Sequence, residues 1–249
     1  MEIRLADRIA LVTGAGGGIG AAIASTLAAN GCHVYLGDAN PGAAASAAAA
    51  CRERGYAIAL DVGVAQASAE AIERIVRERG RIDILVNNAG ILKTGPVLEA
   101  TIDDWDDVCR VNLSGVYYCC KAALPAMVAQ RYGKIINIAS VSAVKGGGVF
   151  GNALYGTTKA GVVALTKGLA RELAPYGINV NAIAPGVTET GMIGPLLTDE
   201  SRRRVLASIP AGRFAATDDV ALVVTLLASD ALGYVNGVTI PVDGGYLTR

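Results

Sequence analysis

Histidine is almost missing from this sequence: His33 is the only one in 249 residues. It sits in the apolar run CHVYLGD, where a strand-packed ring is the expected role, so acid/base chemistry must fall to other side chains. Cysteine is sparse and scattered, with Cys32, Cys51, Cys109, Cys119 and Cys120 forming no CxxC pair. That excludes a zinc site of short ligand spacing, and an odd count of dispersed thiols fits reduced cysteines in a cytoplasm. Net charge is also absent, 22 basic against 22 acidic residues. The densest basic run, Arg202 to Arg204, reads as a solvated helix face, so neither a nucleic acid nor a membrane is an expected partner. Although 52% of the residues are hydrophobic and the mean hydropathy is +0.42, no apolar run reaches the about 18 to 20 residues that cross a bilayer. The start, MEIRLADRIALVTG, lacks the charged, apolar and small-residue order of a secretory signal. A soluble, cytoplasmic protein is the expectation.

What is present is alternation. RIALVT, HVYLGD, YAIALDV and IDILVNNAG are short runs rich in Val and Ile, separated by segments of helical period such as GIGAAIASTLAAN and SAEAIERIVRER. Further strands are expected at KIINIAS, INVNAIA and VTIPVDGG, with helices over about 105–130, 153–173 and 218–228. Near-continuous apolar strands between helices indicate a parallel sheet covered on both faces. The fold class is α/β, a single Rossmann-type doubly wound domain over residues 1–249 with about seven strands. The alanine tract Ala43 to Ala50 falls where a crossover helix belongs. Helices 105–130 and 153–173 are apolar around much of their circumference, and small residues at Ala160, Gly161, Ala164 and Gly168 permit close approach of another helix, some of it across a subunit contact.

The first strand ends in LVTGAGGGIG. Glycines allow positive φ in a tight turn and let backbone N–H groups at a helix start reach phosphate oxygens. Gly16, Gly18 and Ala21 match only the looser form of the dinucleotide fingerprint. Asp38, eighteen residues after Gly20 at the end of the second strand, strengthens the reading, because a carboxylate there can accept both ribose hydroxyls of an adenosine. The same carboxylate would repel the extra phosphate of NADP, and neither Gly17 nor Ala39 offers a compensating cation. NAD is therefore the expected cofactor, with NADP less favoured.

With TGxxxGIG at 13–20, Asn87-Asn88-Ala89-Gly90 after the fourth strand and Tyr155-Gly-Thr-Thr-Lys159, the chain resembles the classical short-chain dehydrogenase/reductase family. The resemblance runs nearly end to end and includes Asp61-Val62, Asn112, NAIAPG at 181–186 and the C-terminal GVTIPVDGG. It implies a cofactor site of Gly14, Gly18, Ile19, Gly20, Asp38, Asp61, Val62, Asn88, Ala89, Gly90, Tyr155, Lys159, Pro185, Gly186, Thr188 and Thr190. It also implies that Asn112 holds a water against the lysine, that Lys159 hydrogen-bonds the nicotinamide ribose, and that the chain forms a homotetramer.

Tyr155 and Lys159 stand i and i+4, one turn apart on one helical face. An exposed pair of this kind would be ordinary helix decoration, but this one opens a helix on the carboxyl side of the sheet, where such folds bind ligands. Tyr155 is assigned as general acid/base. Its use near neutrality needs the phenol pKa lowered by roughly 2 to 3 units, a shift expected from the Lys159 ammonium and an oxidised nicotinamide.

Two serines compete for the role of polarising hydroxyl. The family's usual separation of thirteen residues from the tyrosine selects Ser142, while alignment on the strand KIINIAS selects Ser140 with a loop two residues longer, and the strand anchor is preferred. If the chain stays extended, the two face the same side and Ser142 becomes a second substrate contact. Asn152 and Met192 are further candidates for the substrate, with a lid over about 187–210 and the insertion Gly146 to Phe150 shaping the choice. The expected reaction is oxidation of a secondary alcohol (polyol, sugar or cyclic alcohol) to its ketone, or the reverse. Two alternatives stand beside it: an NADPH-dependent 3-oxoacyl-[acyl-carrier-protein] reductase, and a non-catalytic dinucleotide-sensing regulator.

Overall fold

The computed structural model describes residues 5–148 and 150–248. Strands β1 (Ile9–Thr13), β2 (His33–Asp38), β3 (Gly55–Ala59), β4 (Ile84–Asn87), β5 (Gly133–Ile138), β6 (Ile178–Pro185) and β7 (Thr239–Val242) form one sheet in the order β3-β2-β1-β4-β5-β6-β7. Every pairing is parallel. The order reverses between β1 and β4, and a crevice opens there at the carboxyl ends of the strands, as doubly wound sheets require.

Strand parity divides the core. Ala10, Val12, Val34, Leu36, Ile84 and Val86 point to one face, under α1 (Gly18–Ala29), α2 (Pro41–Ala50) and α9 (Thr217–Ala228). Ile9, Leu11, Tyr35, Leu85 and Ile135 point to the other, under α3 (Ala65–Arg79), α5 (Gly115–Gln130) and α7 (Ala153–Leu173). Alternate side chains of a strand leave on opposite faces, so burial on both sides demands an unbroken apolar run. Cutting a fully buried Leu11 or Ile84 back to alanine is worth about 2 to 5 kcal/mol. The thiols divide in the same way, Cys32 and Cys51 on the first face and Cys119 and Cys120 on the second, all free.

The alanine tract is helical as expected, started by Asn40, whose side chain accepts from Ala43 N, and by Pro41 in the first turn. The helix expected over 105–130 begins earlier, at Ile102, where Thr101 and Asp104 form a capping box. It is also interrupted. After α4 (Ile102–Cys109) comes a π-helical turn, Arg110–Ser114, before α5. The helix over 153–173 matches its expected bounds. A short α6 (Ser142–Lys145) precedes it, and α8 (Asp199–Ser208) lies in the segment expected to cover the site.

A buried polar chain fixes α7 to the sheet: Asn87 Nδ2 donates to Asn137 Oδ1 (2.8 Å), and Asn137 Nδ2 donates to Thr166 Oγ1 (2.9 Å). Such bonds resist sliding of the helix, because a buried amide that loses its partner costs more than an apolar contact does. The side chains at the start of α7 inherit that fixed position.

Candidate active site

A cavity of about 440 Å³ runs from the glycine turn after β1 to the start of α7. Gly14 (φ +62) and Gly18 (φ +55) hold left-handed backbone, and a Cβ on Gly14 would stand 2.7 Å from Ala89 Cα. A Cβ on Gly20 would fall 2.3 Å from Gly14 O, which makes this glycine a packing requirement and not a wall of the cavity. Gly17 faces open space. It caps α1 without a side-chain hydrogen bond and no acidic residue enters the first turn, so the N–H groups and positive dipole end of α1 are left for an anion.

Two side chains brace this turn. Thr13 Oγ1 accepts from Asn88 N and Ala89 N (both 3.1 Å), and Asn88 Nδ2 donates to Thr13 O (2.9 Å) and Gly14 O (3.0 Å). Thr13 was not among the expected site residues. Its signal was a hydroxyl next to the first glycine, where it can reach the adjacent strand end. Asp38 reaches the same turn, accepting from Gly16 N through Oδ2 and from Asn40 N through Oδ1 (both 2.9 Å), and it lines the cavity. Ile19, Asn88, Ala89, Gly90, Pro185, Gly186, Thr188 and Thr190 line it as well.

Asp61 and Val62 do not. Asp61 accepts from Gly63 N (2.8 Å) and pairs with Arg110 (3.3 Å), while Val62 packs beneath Gly115, where an added Cβ would meet it at 2.7 Å. Both are engaged in joining the β3 end to the π-helical turn.

At the other end of the cavity stand Ser140, Ser142, Tyr155 and Lys159. Lys159 is buried, its ammonium donates to Ile138 O (2.7 Å), and it lies 5.7 Å from the centre of the Tyr155 ring. With no carboxylate beside it, burial pulls its pKa from 10.5 down to about 8. Burial pushes the Tyr155 phenol up, and a hydrogen bond from Ser140 offsets part of that rise. The expected depression of the tyrosine is therefore not a property of these residues by themselves. Desolvation is the largest cause of the Tyr155 rise, and the same dry surroundings lower the lysine.

The two serines are not on one extended face. Val141 turns helical (φ −56, ψ −24), so Ser142 opens α6 and donates its backbone N–H to Ser140 Oγ (3.1 Å). Both hydroxyls still reach the cavity, but Ser140 is the one bonded to Tyr155.

Asn112, buried in the π-helical turn, accepts from Ile91 N (2.8 Å) and donates to Ile91 O (2.9 Å), holding the loop after β4 by both backbone groups. Gly90 stands between it and the lysine: a Cβ there would lie 3.2 Å from Asn112 Oδ1 and 3.6 Å from Lys159 Nζ. Asn152 departs from expectation. It is not in the cavity wall; it caps α7, accepting from Tyr155 N (3.2 Å). An asparagine three residues before the tyrosine is a helix-start signal, and that was the cue for this role. Met192 lines the cavity and is half exposed, with Ile193, Phe150 and Tyr246 beside it. Of the insertion Gly146 to Phe150, Val149 lies outside the described residues. Tyr246 had no local signal in the sequence. It arrives through the turn at Gly244 and Gly245, both at positive φ, fastened by Asp243, which accepts from Gly245 N (3.0 Å) and Leu247 N (2.9 Å).

A doubly wound sheet with a glycine cradle at its switch point and a serine, tyrosine and lysine at the far end of one cavity defines a dinucleotide-binding oxidoreductase fold. The family description "Enoyl-(Acyl carrier protein) reductase" matches residues 14–247. The chain is 41% identical to the 3-oxoacyl-[acyl-carrier-protein] reductase FabG of Escherichia coli over 238 residues, 96% of each chain. Among solved structures, a candidate short-chain alcohol dehydrogenase from Sinorhizobium meliloti superposes with a TM-score of 0.94 at 36% identity, over the whole of both chains. A candidate NAD(P)-dependent gluconate 5-dehydrogenase from Beutenbergia cavernae, with NADP bound at low occupancy, gives 0.93 at 38% over the whole of both chains. The protein belongs to the short-chain dehydrogenase/reductase family and is an oxidoreductase of that family. The NADP in that solved relative lends no support to the expected preference for NAD.

Proposed function

We propose that the protein interconverts a secondary alcohol and its ketone, with Tyr155 as the proton-transferring group, Ser140 as the polarising hydroxyl and Lys159 as the charge beside them. The observation that carries this is the single cavity joining the glycine turn to Ser140, Tyr155 and Lys159. The residues fit a nicotinamide dinucleotide. Gly14 and Gly18 give the turn its left-handed backbone, Gly17 faces open space, α1 presents an uncapped start, and Pro185, Gly186, Val187, Thr188 and Thr190 line the far side. Bound there, the dinucleotide supplies hydride transfer.

The protein's own part is positioning and proton management. Ser140 Oγ donates its one proton to the Tyr155 oxygen until substrate binds, and then turns it to the substrate oxygen. As tyrosinate, Tyr155 takes the hydroxyl proton during oxidation; as the phenol, it gives that proton back during reduction. Lys159 Nζ, fixed by Ile138 O, adds positive potential at that oxygen whenever it is protonated. Asn112 acts by holding Ile91, and Asn152 by starting α7 so that Tyr155 is presented on its first turn. A lid over about 187–210 fits α8 and its apolar contacts, where Val205 and Leu206 pack with Phe150, Phe214 and Tyr246.

Asp38 supports NAD, since its carboxylate faces the adenosine end of the cavity. NADP is the second reading, supported by the dinucleotide in the Beutenbergia structure. A 3-oxoacyl thioester is the second substrate reading, supported by the 41% identity to FabG. Free thiols, and the lack among the described residues of a helix long and apolar enough to cross a membrane, accord with a cytoplasmic setting. Assembly as a homotetramer is part of the proposal, with exposed apolar residues such as Ile102, Trp105 and Tyr117 available to subunit contacts.

The test is the absorbance of reduced nicotinamide across polyols, sugars, cyclic alcohols and 3-hydroxyacyl thioesters, with each cofactor. Tyr155→Phe is expected to lower kcat by about 10² to 10⁴. Ser140→Ala should fall nearly as far and Ser142→Ala much less. Turnover by Tyr155→Phe at the unaltered rate, or tight dinucleotide binding with no turnover of any substrate, would remove the enzymatic assignment.

A further inference from the structure

At the substrate end of the cavity, α6 and the C-terminal turn meet through a cation and a ring. Lys145, the last residue of α6, places its ammonium 4.1 Å from the centre of the Tyr246 ring. Tyr246 lines the cavity, as do Ser142 at the other end of α6 and Phe150 beyond the loop. The ring is fixed by packing with Val205, Ile209 and Phe214 and by the Asp243 turn, so the cation resting on it is held beside a side chain of the cavity wall while lying outside the wall itself. An ammonium against an aromatic face keeps its N–H donors free for a further acceptor.

The surrounding charges give that cation its meaning. Lys93, near Leu92 of the wall, is occupied by Asp104 at 2.5 Å, and the pair drives that carboxyl down to about 2. No described carboxylate pairs with Lys145, and the one carboxylate in the cavity wall, Asp38, is at the glycine-turn end. Among the described residues, the lining of the substrate end thus offers hydroxyl groups and no carboxylate, with the Lys145 ammonium next to it. A neutral polyol would gain little from the cation, whereas an anionic group would be drawn in and oriented by it.

Resting on the reading of this site as an alcohol and ketone oxidoreductase, we propose that Lys145 is a specificity-determining residue that selects secondary alcohols bearing a carboxylate. Tyr246 positions it.

The experiment compares acid and neutral partners of like skeleton, D-gluconate with D-glucitol and 3-hydroxybutyrate with its methyl ester, with NAD and NADP each supplied. Wild type is expected to prefer the acid of at least one pair. Lys145→Met should raise KM for that acid about tenfold, leave its kcat and the neutral partner's constants nearly unchanged, and Lys145→Arg should restore most of the preference. An unchanged acid-to-neutral ratio in Lys145→Met, or a wild type that favours the neutral partner of both pairs, overturns the proposal. Thermal shift of the cofactor-saturated protein on adding each acid gives a second readout. Loss of that shift in Lys145→Met supports the proposal, and equal shifts, or none in wild type, overturn it. Failure of the oxidoreductase reading appears separately, as undiminished turnover by Tyr155→Phe.

Discussion

The two ends of the cavity are made of different material. At the glycine turn the chemistry is done by backbone, with Gly14, Gly17 and Gly18 clearing space and Thr13 and Asn88 bracing the peptide groups. At the start of α7 it is done by side chains in dry surroundings, Ser140, Tyr155 and Lys159. Backbone cannot change its charge, so the N–H donors of the glycine turn are the same at any pH the fold survives. The second end is set by titration, and burial has moved both of its ionisable groups toward neutrality.

The contrast can be broken from either end. The largest effect beyond Tyr155→Phe is expected at Lys159. Its folded pKa of about 8 lies below the ordinary 10.5, so between these values the unfolded chain still holds a proton that the folded chain has released. Stability contributed by this residue therefore rises with pH through that window. Below about pH 8 the buried ammonium opposes folding by about 3 kcal/mol. Lys159→Met should be more stable than wild type in chemical denaturation at pH 7, with the gap closing as the pH approaches 10.5. A gap independent of pH would mean that the lysine is not the titrating group.

Gly20→Ala attacks the backbone end. A Cβ 2.3 Å from Gly14 O cannot be accommodated without moving the turn, and a loss of about 1 to 3 kcal/mol in stability is expected. Dinucleotide affinity should weaken by at least tenfold in calorimetric titration, while Tyr155 and Lys159 stay in place. Asp38→Ser should act more selectively, weakening NAD roughly tenfold and NADP little or not at all, about 1.4 kcal/mol of discrimination. Equal loss for both cofactors would mean that Asp38 serves only to hold Gly16 and Asn40. The smallest effect is expected at Gly168, in the middle of α7, where an added Cβ meets open space. Gly168→Ala should add about 0.5 to 1 kcal/mol through backbone entropy. A loss accompanied by a smaller mass in light scattering would instead place that face in a subunit contact.

Much of this was legible in the sequence, and the reason lies in spacing. Strands β1 to β7 announce themselves as apolar runs because both faces are covered, and Tyr155 with Lys159 is local geometry on one helix. What escaped was set through space. Nothing near Asn112 says that Ile91 will fold against it, and nothing near Tyr246 says that the chain returns to the cavity. The direction of the Tyr155 shift escaped for a related reason, since a sequence shows the lysine but not the depth of burial that raises the phenol. Ser140 and Ser142 show the limit of parity, because one helical residue, Val141, undid the alternation.

The buried thiols have a use outside catalysis. Burial holds Cys119 and Cys120 at about 11 and about 12 and pushes Cys32 up as well, so as long as the fold is closed they are poor nucleophiles. Because one pair lies on each face of the sheet, a thiol-alkylating reagent followed by peptide mass would time the opening of the two faces independently, each face carrying its own clock.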